Sequence, residues 1–227
     1  LSSGHGVGGS AGGSALQHHF DSLEQQREAS TFGMWVFLVT EIMFFGGLFT
    51  AYVIYRLQYP AAFAAASNSL LWQAGAFNTL VLICSSLTMA MAVRSAQVDR
   101  KKAIVVFLIL TILLGAVFLG VKAYEYRTEW VEHHFPGPHF QFAGTDPQHA
   151  EMFFSIYFCM TGLHALHMII GMTILGILLV PSWKGRFNSQ YHNPLECMGL
   201  YWHFVDIVWI FLLPLLYLFG ANLHHGG

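Results

Sequence analysis

Six ionisable side chains stand inside, or at the edge of, long apolar runs: Glu41, His164, His167, Glu196, His203 and Asp206. Their chemistry is that of proton carriers, hydrogen-bonding anchors or haem ligands, and each is costly where lipid is the solvent, about 2.5–3.5 kcal/mol per charge on insertion scales. Glu41 lies in an otherwise uncharged stretch, Phe32-Gly33-Met34-Trp35 through Thr40-Glu41-Ile42-Met43-Phe44-Phe45. Two roles are open to it: moving a proton or engaging a neighbouring subunit, or packing as a carboxyl hydrogen-bonded to another helix. Glu196, His203 and Asp206 are spaced by seven and three residues, which puts them on one helical face and lets His203 and Asp206 bond within the helix. His164 and His167 are three apart and are expected to share a face. A histidine from each of two helices can hold haem b, so His164 with His203 is a candidate ligand pair, against the plainer role of hydrogen-bonded structural histidines.

The elements that position these groups are membrane spans. Only 10% of the 227 residues are charged and 55% are hydrophobic, whereas a soluble domain carries about 25% charged residues. A span needs about 20 mainly apolar residues, and five segments qualify, at about 32–55, 70–93, 103–121, 152–180 and 197–219. Strand-type alternation is absent, so the expected fold is all-α, a five-transmembrane-helix bundle within 31–220. A polar Gly/Ser/His-rich tail, 1–30, precedes it and a short tail, 221–227, follows. The first of these holds no short apolar core with a small-residue cleavage site, so no secretory signal is expected and the first helix should direct its own insertion. The sequence opens on Leu1, which places the expected start of translation upstream.

Basic residues set the expected orientation. Arg27, Arg94, Arg100, Lys101, Lys102, Lys184 and Arg186 fall on the N-terminal side, and Arg56, Lys122 and Arg127 on the other: seven against three. The N-terminus is therefore expected to be cytoplasmic and the C-terminus outside. The longest loop, 122–151, lies on the outer side with Glu125, Glu129, Glu132, Asp146, Glu151, His133, His134, His139 and His149. Pro136, Gly137 and Pro138 argue against a helix through its middle. Such a loop is either packed on something functional or a solvated connector.

Several classes are excluded or disfavoured. A net charge of −2 with no basic stripe leaves nucleic acid without a binding surface. Cys84, Cys159 and Cys197 stand singly, with no pairing that suggests a zinc site or a disulfide framework. No inverted repeat or pair of broken helices points to a transporter.

Taken in order, the segments resemble subunit III of the haem–copper oxidases. The Glu41 stretch is similar to that family's glutamate-bearing helix, and Asn78-Thr79-Leu80 with Ser85-Ser86 to its next helix. Lys122-Ala123-Tyr124-Glu125-Tyr126 matches the Glu-Tyr exit, and Gly162-Leu163-His164-Ala165-Leu166-His167 with Ile170-Gly171 the Gly-x-His-x-x-His helix. Tyr201-Trp202-His203-Phe204-Val205-Asp206-Ile207-Val208-Trp209 is the most specific stretch, and the match spans roughly 31–220. The resemblance implies a non-catalytic subunit of a proton-pumping terminal oxidase in a bacterial plasma membrane. It implies no cofactor or metal in this chain, haem and copper in partner subunits, packing on subunit I beside subunit II, phospholipid binding, and support of proton uptake and stability. Cytochrome c would be met through the complex. By position, Glu41 corresponds to the family's buried glutamate, and Glu196, His203 and Asp206 fall on its polar last-helix face. The long form of the subunit has seven helices; the polar tail here resembles the five-helix bacterial form. Quinol oxidases and an accessory protein of nitric oxide reduction are also relatives, and Glu41 with Glu196 look closer to the cytochrome c oxidases.

Overall fold

A computed structural model describes residues 23–137, 140, 142, 146–188 and 191–218. His139 and the tails at 1–22 and 219–227 lie outside them. Six α-helices follow one another: α1 Leu23–Gln58, α2 Pro60–Ser69, α3 Trp72–Gln97, α4 Lys101–Val131, α5 Pro147–Trp183 and α6 Asn193–Leu213, the last continuing into a π-helical turn, Pro214–Leu218. Five of these are long and apolar enough to cross a membrane, and no strand occurs among the described residues. Side chains such as Ile42, Met43, Leu80, Leu113 and Ile177 point their apolar bulk outward, as helices solvated by lipid require. The protein is a multi-pass membrane helix bundle.

Helix ends differ from the sequence expectation where polar residues continue a buried stripe. α1 begins at Leu23, inside the segment expected to be a tail. α4 runs to Val131 rather than 121, because Thr111, Gly115, Phe118, Lys122, Glu125 and Glu129 keep a spacing of four and three and all face inward. The expected loop at 122–151 is thus helical over its first ten residues and again from Pro147. There Asp146 caps α5 by accepting from the His149 amide at 3.3 Å. This connection packs on its own chain: the His134 ring stacks on Phe154 with centroids 4.9 Å apart, His149 stacks on Tyr59 at 3.7 Å, and Glu151 accepts from the Gly137 amide at 3.0 Å.

α2 was not expected, being too short to span. Pro60 starts it, and Phe63 and Ala66 bury against α5 and the end of α6. Pro214 lacks an N–H and breaks the regular ladder at the end of α6. Two of the carbonyls there are captured from elsewhere: Tyr52 OH donates to Leu215 O and Ser67 Oγ to Leu216 O, each at 2.6 Å.

α6 is the central helix, packed on α1, α3 and α5. Trp202 is its wedge. A Cβ on Gly115 of α4 would stand 3.1 Å from Trp202 Cη2, and one on Gly171 of α5 would stand 3.0 Å from Trp202 Cζ3. Its indole N–H donates to Ser85 Oγ of α3 at 3.0 Å. The indole therefore touches three helices through two glycines and a serine. Gly46, Gly47 and Gly176 instead face open space and do not serve close packing within the chain. Tyr55, Trp72, Tyr124 and Trp183 are exposed at span ends as interfacial anchors, while Tyr52 and Tyr217 are buried.

Candidate functional site

Glu41 of α1 meets His167 of α5. Its Oε2 lies 3.2 Å from His167 Nε2, across 126 residues of sequence. His167 Nδ1 is 2.8 Å from the Leu163 carbonyl, which can only accept, so Nδ1 carries a hydrogen. The Nε2–carboxyl contact then needs one more proton, held as an imidazolium or as a carboxylic acid. The pair borders a groove between α1, α5 and α6 with a volume of about 550 Å3, walled by Met34, Phe37, Ile170, Ile174 and Leu178. Tyr201 OH donates to the His167 carbonyl at 2.9 Å and ties α6 to the same spot.

The three acidic and histidine positions of α6 divide between two places. Glu196 joins the helix ends on the N-terminal side: it accepts from Arg27 Nη2 at 3.3 Å and Gln97 Nε2 at 3.1 Å, and His192 Nε2 lies 3.1 Å away. His203 and Asp206 line a groove against α3. His203 Nδ1 bonds Ser86 Oγ at 2.7 Å, so the expected bond between His203 and Asp206 is replaced by one between helices. Both Asp206 oxygens are buried beside the Ser86 hydroxyl.

His164 and His167 do not share surroundings. Three residues turn a helix by about 300°, which leaves His167 toward α1 and sends His164 into the bundle. There His164 is fully buried, edge-on to Phe118 at 5.4 Å and beside Trp209 at 5.3 Å. Rings fill the space next to it, and the His203 groove is lined by other residues. The two are not brought to a common cavity in which a porphyrin plane would fit, and the electron-carrier reading is not favoured.

The most connected polar cluster lies in the segment expected to be loop. Lys122 Nζ donates to Glu125 Oε2 at 3.0 Å, to Tyr157 OH at 3.1 Å and to Tyr217 OH at 2.9 Å, using all three of its hydrogens. Tyr157 OH donates to Glu125 Oε1 at 2.6 Å, and Tyr217 OH donates to the same oxygen. The ammonium also lies over the Trp209 ring, 5.2 Å from its centroid. This closed set joins α4, α5 and the π-helical turn. A Lys–Glu pair at i,i+3, continuing the buried stripe of α4, was the signal for it. Just past the end of α4, His134 Nδ1 lies 2.8 Å from Glu129 Oε2 and 3.6 Å from Glu132 Oε2.

Comparison with known proteins agrees with this architecture. The family described as Cytochrome c oxidase subunit III matches residues 16–221. The chain is 32% identical to Cytochrome c oxidase subunit 3 of Thermostichus vulcanus over 199 residues, covering 87% of this chain and 91% of that one. It is 28% identical to Cytochrome bo(3) ubiquinol oxidase subunit 3 of Pseudomonas aeruginosa over 204 residues, covering 90% and 91%. Against Cytochrome c oxidase subunit 3 of Coturnix japonica it is 32% identical over 212 residues, covering 90% of this chain and 74% of the other. With a match across all five membrane-length helices and the helix that carries Glu41 included, the chain belongs to the cytochrome c oxidase subunit III family.

Proposed function

We propose that this chain is the non-catalytic subunit III of a proton-pumping haem–copper oxidase, seated on subunit I beside subunit II in a bacterial plasma membrane, where it sustains proton uptake and the stability of the complex. Haem and copper reside in those partner subunits. The observation that carries this reading is the Glu41–His167 pair: a contact holding one extra proton, placed within an apolar groove of a family member whose relatives are oxidase subunits. Holding that proton, the pair is net neutral whichever of the two groups carries it, so it sits in the apolar groove without a lone charge. Phospholipid chains suit the groove that borders it.

The N-terminus is cytoplasmic in this reading. Arg27, Arg94, Arg100, Lys101, Lys102, Lys184 and Arg186 lie toward that side. On the opposite side Lys122 is buried against Glu125 inside α4, which leaves Arg56 and Arg127 as its basic residues near the surface. Cytochrome c is the proposed electron donor to the complex, on the resemblance of the Glu41 and Glu196 helices.

Affinity purification of the tagged chain from gently solubilised membranes tests the reading. Haem absorbance and oxygen uptake are expected to arrive with larger subunits and to be absent from the dissociated chain. Haem retained by the lone chain would overturn it.

A further inference from the structure

At the end of α4 two carboxylates converge on one imidazole. Glu129, Glu132 and His134 each offer a donor atom, and the three atoms lie within 4.8 Å of one another. Glu129 closes the inward stripe of the helix and is 2% exposed, whereas the Glu132 side chain is 52% exposed. The turn that ends the helix brings His134 back onto them. His133 takes a φ of 59°, in the left-handed region, and the His134 amide donates to the Glu129 carbonyl at 3.0 Å. The His134 ring is then held by stacking on buried Phe154, with Phe142 5.7 Å away on centroids. Its Nδ1 faces both carboxylates.

The charges at this spot do not balance within the described residues. Lys122, one turn away, spends its three hydrogens on Glu125, Tyr157 and Tyr217. The ion pairs of Glu129 and Glu132 among the described residues are with His134 alone. Two carboxylates on one imidazole stay net negative even with the ring protonated, and a buried carboxylate such as Glu129 needs full compensation. A divalent cation on two carboxylates and a neutral ring brings the sum to zero. The spacing suits a small one: tetrahedral ligands at 2.0–2.2 Å stand about 3.3–3.6 Å apart. The His134 contacts at 2.8 Å and 3.6 Å bracket that range, so replacing the shared proton by a cation opens the shorter one by roughly 0.5 Å. An imidazole donor selects zinc-like cations, because calcium and magnesium take oxygen ligands.

We propose that Glu129, Glu132 and His134 form a binding site for a divalent transition cation of the zinc class, at the end of α4. Three protein ligands leave the fourth position to solvent, on the exposed side where Glu132 stands, so the ion can exchange. Bound there, it ties the last turn of α4 to the turn that follows and, through the stacked ring, to Phe154 of α5.

Zinc counting tests the proposal on the tagged full chain, purified in detergent with whatever subunits accompany it. The preparation is stripped with a chelator, equilibrated with Zn2+, desalted and assayed by mass spectrometry of the metal. His134→Phe keeps a ring against Phe154 without the nitrogen donor and should hold one zinc ion fewer per chain than the parent. Glu132→Gln, a change at an exposed position, should weaken zinc binding by about tenfold, the equivalent of 1.4 kcal/mol. His133→Asn removes the neighbouring imidazole while tolerating the left-handed backbone, and should bind as the parent does. Equal zinc content and affinity in the parent, His134→Phe and Glu132→Gln overturns the proposal. So does loss of the ion from His133→Asn, or displacement of Zn2+ by an equal concentration of Ca2+. Should His134→Phe fail to accumulate, the titration of Glu132→Gln decides. Because the count is a difference between variants of this chain, its outcome is separate from that of the subunit reading.

Discussion

Lys122 and Glu125 form a buried ion pair at 3.0 Å, one turn apart on α4, with side chains 4% and 1% exposed. Two tyrosine hydroxyls from distant elements, Tyr157 and Tyr217, bridge them. Each hydroxyl accepts from the ammonium and donates to the carboxylate, so both charges are compensated without water. The cluster thereby fastens the C-terminal part of α4 and the N-terminal half of α5 to the final turn of the helix bundle.

Removing one charge of that pair leaves the other buried and alone. Lys122→Met is expected to destabilise the protein by about 3–5 kcal/mol, and Lys122→Met with Glu125→Gln to recover much of that loss. Thermal unfolding of the detergent-solubilised complex reads both. A single variant as stable as the parent would show that the pair contributes nothing.

Two glycines of α5 should respond oppositely to the same change. Gly171→Ala puts a methyl group 3.0 Å from Trp202 and Tyr201, and overpacking of this kind costs about 1–3 kcal/mol. Gly176→Ala meets nothing within 4 Å and should be neutral, or stabilising by roughly 0.5–1 kcal/mol through helix propensity. Equal melting temperatures for the two variants would contradict the wedge assigned to Trp202.

Glu41→Gln keeps the shape of the side chain but removes its ability to carry a charge beside His167. The expected result is an oxidase with unchanged haem content whose turnover, or persistence of turnover, is reduced. The check is haem absorbance together with oxygen uptake followed over successive turnovers. Loss of haem from this variant would count against a modulatory role.

His164 is expected to tolerate an apolar substitute. Neither ring nitrogen has a hydrogen-bond partner in its buried site between Phe118 and Trp209, and replacing an unsatisfied polar group by an apolar one of similar shape is neutral or stabilising. His164→Phe should leave the reduced-minus-oxidised spectrum of the complex unaltered and its melting temperature undiminished. A lost haem band would restore the electron-carrier reading.

The sequence by itself determined the solvent, the helix count across the membrane and the family. Those follow from local quantities: unbroken apolar length, scarcity of charge, and short motifs such as Tyr201–Trp209 in order along the chain. It also singled out Glu41, His167, His203 and Asp206, because a polar residue inside an apolar run stands out without knowledge of its neighbours. It misread the end of α4, since Lys122, Glu125 and Glu129 look like loop residues until their four-and-three spacing is joined to the stripe before them.

Only the tertiary structure decided the partnerships. That Glu41 meets His167, that Glu196 holds Arg27, and that His203 takes Ser86 rather than Asp206 depends on how helices far apart in sequence are rotated against one another. Periodicity assigns a residue to a face of its own helix but leaves open which helix covers that face. Close packing makes that choice, here through Trp202 between Gly115 and Gly171, and with it decides which buried polar groups are satisfied within the chain and which, like the ring nitrogens of His164, are not.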